Sequence, residues 1–263
     1  MSPDELVVTI AATLVGPCAW VWWAIRMSRT RRLPRGGGLG VLTTTVAVCA
    51  AIILTVLVAG AAEDVLGAYL FMYVVLGLAW VRAAESLFTY LGVSARDDAI
   101  ERRNGAALAA ISGALVGGTL AYSGGNFGNG PGWWVVLFSA AIATLGLAVT
   151  WAAHERLTKS SEVIVIDRDL SAGVRLGAFL AANGLLFGRA VAGDWKSAAA
   201  TVRDAVVALP AAIGLLTLAY VVERAARPTA DRPEAPLGSF GVTVAIAYVG
   251  LALLFVVSLG WPS

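Results

Sequence analysis

The 263 residues are 59% hydrophobic and only 14% charged, with 19 Lys and Arg against 17 Asp and Glu for a net charge of +2 and a mean hydropathy of +0.80. Soluble domains carry about a quarter charged residues, so this composition excludes an ordinary water-soluble fold, and the near-neutral balance gives no reason to expect a nucleic-acid partner. One histidine, His154, and two cysteines, Cys18 and Cys49, are too few for a metal-ligand set or a disulfide framework.

The apolar residues gather into blocks long enough to cross a hydrocarbon core about 30 Å thick. In chain order they cover residues 6–25, 39–61, 65–81, 105–122, 132–152, 170–191, 205–222 and 240–259. The runs are rich in Ala and Leu and do not alternate, which favours helices over a barrel. The expected fold is therefore all-α: a polytopic membrane protein of about eight transmembrane helices. The first block follows Asp4 and Glu5 and precedes Arg26, Arg29, Arg31, Arg32 and Arg35. That is the reverse of a secretory signal's charge order, and it predicts a retained helix.

Cationic side chains cluster in alternate loops. One set holds fifteen: the five arginines just named, Arg82, Arg96, Arg102, Arg103, Arg156, Lys159, Arg168, Arg224, Arg227 and Arg232. The other set holds Arg189, Lys196 and Arg203, while Arg175 lies within the sixth block. Positively charged loops stay cytoplasmic, so both termini are expected outside. The segment 123–132, SGGNFGNGPG, has no preceding strand and no P-loop lysine, and reads as a flexible connector.

Two stretches resemble each other. DAIERRNGAALAAISG, from Asp98, and EVIVIDRDLSAGVRLGA, from Glu162, align Arg103-Asn104 with Arg168-Asp169 at an offset of 65 residues. A fainter copy starts at Glu234, and a degenerate one at Arg35. Each unit holds two spans, which predicts parallel repeats about an axis along the membrane normal. The expected divisions of this single transmembrane domain are a first helix and basic loop (1–37), a degenerate repeat (38–103), repeats at 104–168 and 169–236, and a terminal half repeat (237–263).

With these entry motifs and the closing GRAVAGD at 188–194, the chain resembles the bacterial "domain of unknown function 350" membrane family, best across 65–196. The resemblance implies a bacterial plasma membrane and a neighbourhood of phage-shock-type envelope stress systems and aminopropyltransferase-like enzymes; it implies no chemistry. Asp169 stands where the family pattern has a second Asn.

Arg103, Asn104, Arg168 and Asp169 are the leading candidate motif. Asn and Asp cap helix N-termini, and the arginines would sit among anionic lipid headgroups at the inner face. Capping and anchoring explain them; so does a ring of inner charges that gathers a ligand or partner. Gly113/Gly117, Gly173/Gly177 and Gly184/Gly188 have the spacing of close helix contacts, and tight packing is the expected explanation, with a hinge or narrow pore as the lesser alternative. They lead us to expect helices two, four, six and eight in an inner layer. Asn183 is expected to bond a neighbouring helix, Arg175 to snorkel toward the basic side, and Arg82 and Glu85 to pair on one helical face. Trp20, Trp22, Trp23, Trp133 and Trp134 fit interfacial belts.

No nucleophile–base pair or catalytic carboxylate pair emerges, so neither enzyme nor cofactor is expected. The leading expectation is a membrane scaffold or accessory component in envelope maintenance, accompanied by a cytoplasmic protein partner or a homo-oligomer. The alternative is a small transporter or channel for an ion or polar solute, against which the near absence of acidic residues within the spans counts.

Overall fold

A computed structural model describes residues 1–28, 37–227, 229, 236–260 and 262. Arg29, Arg31, Arg32, Arg35 and Arg232, and the starts of the outer two repeat copies at Arg35 and Glu234, lie outside the described residues. Among the described residues are eight helices long and apolar enough to cross a membrane: α1 Pro3–Ser28, α2 Gly38–Gly60, α3 Ala68–Leu91, α4 Gly105–Gly124, α5 Trp133–Thr158, α6 Leu170–Ala190, α7 Ala198–Ala225 and α8 Leu237–Ser258. The all-α polytopic class expected from sequence is what the chain adopts.

Helices α2, α4, α6 and α8 run in one direction and pack side by side in that order. The return helices form a second layer: α3 lies against α2 and α4, α5 against α4 and α6, and α7 against α5 and α6, while α1 packs on α3. Neighbours in the first row meet at nearly constant sequence separations. Thr45 Oγ1 donates to Ser112 Oγ (3.2 Å), Arg168 Nη2 to the carbonyl of Arg102 (3.1 Å), and Arg175 Nη1 to that of Phe240 (3.5 Å). These pairs lie 67, 66 and 65 residues apart. In the second layer Trp80 Nε1 donates to Thr144 Oγ1 at 3.0 Å, across 64 residues.

The centre of the molecule is the seam between α4 and α6, where backbone meets backbone. A Cβ added at Gly113 would collide with the Cα of Gly177, and one at Gly124 with the backbone of Gly188. Gly173 abuts Ala106, and Gly184 abuts Gly117. Lipid offers no hydrophobic drive to bury one apolar helix against another, so close van der Waals approach through small residues takes its place. The glycines therefore serve tight packing, and the seam leaves no lumen between these two helices.

One expectation needs correction here. Helices α4 and α6 are central, with 61% and 72% of their most apolar stretches buried, but α2 and α8 reach only 28% and 17%. The even row is thus not uniformly an inner layer. Its end members have a row neighbour on one side only, and their other faces turn outward. Their mean hydropathies, 2.6 and 2.5 against 1.5 and 1.4 for α4 and α6, suit them to lipid.

Candidate functional site

Asn104 and Asp169 start α4 and α6 in the same way. Asn104 Oδ1 accepts from the amides of Ala106 (2.9 Å) and Ala107 (3.2 Å), and Asp169 Oδ1 from those of Ser171 (2.7 Å) and Ala172 (3.2 Å). The preceding Arg103 and Arg168 take left-handed backbone, with φ of 52° and 59°, which ends the π-wound turns Ala95–Glu101 and Val163–Asp167 and re-aims the chain into the next helix. Both caps are buried and both arginines exposed. The copies then diverge. Asn104 Nδ2 donates to the Ile164 carbonyl at 2.7 Å, whereas Asp169 has no amide, and its buried Oδ2 has no partner. The four residues share a role at helix entries, two as caps and two as the left-handed residues that precede them.

Arg82 and Glu85 pair as expected, Nη1 to Oε2 at 2.6 Å, and the Arg82 guanidinium lies 5.5 Å from the centre of the Trp20 ring. Trp20 and Trp23 are buried, while Trp22 and Trp134 are exposed. Asn183 is fully buried, but its Nδ2 bonds the Phe179 carbonyl of its own helix at 2.8 Å, and its Oδ1 has no partner. The expected bond to a neighbouring helix is not formed, because an amide four residues along reaches the local carbonyl first.

Arg175 departs further from expectation. It does not snorkel; it is 1% exposed and clamps Glu223 of α7 with two bonds, Nε to Oε1 at 2.6 Å and Nη2 to Oε2 at 2.8 Å. Its Nη1 donates to Ser171 Oγ at 2.9 Å. A guanidinium fork matches a carboxylate edge to edge, and with its donors engaged Arg175 has no need of the interface. Around the pair stand Tyr248, whose buried hydroxyl has no partner, and His154, which faces Phe179 at 4.8 Å between ring centres. Phe179 in turn meets Tyr248 edge-on at 6.0 Å. His154 Nδ1 lies 3.3 Å from the hydroxyls of both Thr158 and Ser160. Helices α6 and α7 therefore hold a buried ion pair beside polar and aromatic side chains at the basic end of the bundle. Sequence reading missed Glu223, His154 and Tyr248. Glu223 sits between Val222 and Arg224 at a helix end and reads as a loop charge, with nothing local to indicate a partner 48 residues away.

The opposite end is also built, not loose. Gly128 N donates to the Gly60 carbonyl at 2.9 Å, and Trp195 N to the Asn129 carbonyl at 2.8 Å. Asp194 Oδ1 accepts both the amide (2.7 Å) and the side-chain Nδ2 (3.1 Å) of Asn129. Those two donors hold the Asp194 carboxyl below its ordinary range. The segment 123–132 is thus a clasped loop, not the flexible connector expected from its glycines. Gly128, at φ +85° and directly against Gly193, is where glycine is required.

Beneath this clasp lies a cavity of about 270 Å³. Glu5, Asp64, Asp194, Asp204 and Lys196 stand around it, and Tyr69, Tyr73, Asn126, Ser139 and Trp195 contribute walls. Among the described residues, no three His, Cys, Asp or Glu side chains are placed to hold a metal ion.

Compared with known proteins, the chain matches no family model, no curated protein and no solved structure.

Proposed function

We propose that the protein is a small multi-pass transporter for a polar or charged solute, caught with a vestibule open at one end and closed at the other by the Arg175–Glu223 pair. The observation that carries this reading is that pair: two charges held inside apolar helices, 1% and 7% exposed. Ionisable groups within membrane helices are costly and mark pathways more than architecture. The burial of Arg175 and Asn183 supports the same reading, since lipid-facing positions would have counted against it. Glu223 also supplies the acidic group that seemed missing from the spans.

In this reading the chain lies in a bacterial plasma membrane, with the vestibule and both termini outside; the support is fifteen cations on one set of loops against three on the other. It is a non-enzymatic member of the "domain of unknown function 350" family, built from parallel two-helix units, a division supported by the contacts at 64 to 67 residues.

Proteoliposome uptake of methylammonium, acetate and glycerol tests the proposal. Protein-dependent uptake of one of them, lost in Asn183→Leu and altered in Glu223→Gln, is the expected result. No protein-dependent uptake of any of the three refutes it.

A membrane scaffold in envelope maintenance is the second reading. It is favoured by the exposed Arg96, Arg102, Arg103 and Arg168 at the basic end, a surface suited to anionic headgroups or an acidic cytoplasmic partner. Recovery of one consistent partner, or of an oligomer, in mild detergent would support it.

A further inference from the structure

The vestibule at the clasped end has a composition that specifies its ligand. Of the five charged side chains around it, four are carboxylates and one, Lys196, is a cation. Two of the carboxylates have structural duties. Glu5 Oε2 accepts from Ser2 N (2.6 Å) and Tyr69 Oη (3.1 Å), and Asp194 accepts twice from Asn129. The other two, Asp64 and Asp204, are exposed at the rim, and their carboxylates make no hydrogen bond or ion pair with the described residues.

A second, independent feature lies deeper. Asn126 lines the cavity and is only 5% exposed. Its Nδ2 is turned back to the Tyr122 carbonyl at 3.1 Å, which leaves Oδ1 as a buried acceptor without a donor. Leaving such an oxygen unpaired costs about 1–3 kcal/mol, and a ligand N–H or an ordered water would relieve it. Tyr73, Val135, Val136 and Trp195 add apolar and aromatic surface to a lining that is otherwise mostly polar.

Metal ions want several oxygen ligands converging on one point, and these carboxylates are dispersed around a space far larger than one ion. Dispersed negative charge, aromatic faces and a lone buried acceptor suit an organic ammonium, whose charge is diffuse and whose carbon atoms gain from apolar walls.

We infer that the vestibule is a binding site for a small ammonium-bearing ligand, steered by Asp64 and Asp204 and received at Asn126. The inference names a substrate class for the transport reading and rests on that reading only for the ligand's being cargo. Binding rests on the vestibule alone. The same ammonium group could arrive on a free amine or on the headgroup of phosphatidylethanolamine.

The test uses the full chain in nanodiscs. Butylammonium chloride is titrated against sodium chloride at matched ionic strength, with calorimetry as the readout and the tryptophan fluorescence change that is lost in Trp195→Phe as a second. Saturable butylammonium binding is expected, weakened about fivefold for each of Asp64→Asn and Asp204→Asn, the effect of losing one water-exposed charge contact. Neither carboxylate takes part in packing, so both variants should fold, and Asn126→Leu provides a deeper probe. Binding by free amine in bilayers without phosphatidylethanolamine identifies a soluble ligand. A signal that appears only with that lipid, and is still weakened in both Asp variants, identifies the headgroup. No saturable binding under either condition, or binding indifferent to both Asp variants, overturns the site. Ammonium binding without flux leaves the site standing and removes the transport reading; flux of acetate or glycerol without ammonium binding does the reverse.

Discussion

Replacing Glu223 by Ala should strip Arg175 of two charge-assisted hydrogen bonds, those of Nε at 2.6 Å and Nη2 at 2.8 Å. Nη1 would keep Ser171 Oγ at 2.9 Å, so the guanidinium would stay in place with two donors facing no acceptor. Bonds to charged groups contribute about 1.5–3 kcal/mol each, which sets a ceiling near 6 kcal/mol. Removal of one partner from a buried ion pair costs about 3–5 kcal/mol, and with Arg175 1% exposed water cannot readily substitute. We therefore expect Glu223→Ala to lose about 3–5 kcal/mol in reversible unfolding by sodium dodecyl sulfate, followed by tryptophan fluorescence. The double replacement Arg175→Met with Glu223→Leu removes both charges at similar volume and should recover most of that loss, because an apolar pair escapes desolvation. A cost below about 1 kcal/mol for Glu223→Ala, or a double variant as unstable as the single one, would show that the pair is hydrated and that the burial argument is mistaken.

Two further outcomes follow from the seam and the clasp. Gly113→Ala drives a methyl into the backbone of Gly177, and should cost at least the roughly 1–3 kcal/mol typical of overpacking in the same unfolding assay. Gly250→Ala, where an added Cβ meets nothing, should be close to neutral; equal effects at both positions would refute the seam. Because the Asp194 carboxyl is held below its ordinary range by Asn129, its contribution is fully present above the unfolded carboxylate range and fades as pH falls through the lowered folded value. The exchange protection factor of the Asn129 amide, its rate relative to the intrinsic rate at the same pH, should fall on acidification through that window, and Asp194→Asn should flatten the response.

Much of the fold was readable because span length and loop charge are properties of the chain alone. The boundaries that shifted did so for physical reasons. The third apolar block stops at Val81, just before Arg82 and Glu85, yet these two pair on the helix at 2.6 Å and α3 continues to Leu91. The fifth was ended at residue 152, but α5 runs on to Thr158 and carries His154 into a buried, hydrogen-bonded position. Arg175 could be singled out from sequence; its partner could not, because pairing across 48 residues is set by how α6 meets α7. The clasped loop was misread for the opposite reason. Glycines signal permissive backbone, and it takes the Asn129–Asp194, Gly128–Gly60 and Trp195–Asn129 contacts to reveal that this permissiveness serves a fixed shape.

The α4–α6 seam also bears on how the chain is made. Its two helices have the lowest mean hydropathies of the eight, 1.5 and 1.4, a low value α4 shares with α3, while the intervening α5 stands at 2.0. Insertion during synthesis is judged segment by segment on apolar content, so α4 and α6 are the weakest of the first-row helices at the step where each must leave the translocation channel. Their glycines gain contact energy only after both have arrived, and α5 is the segment apolar enough to hold its neighbours in the bilayer meanwhile. The small residues that let the two central helices meet backbone to backbone are thus the ones that lower the apolar content by which each is judged at insertion.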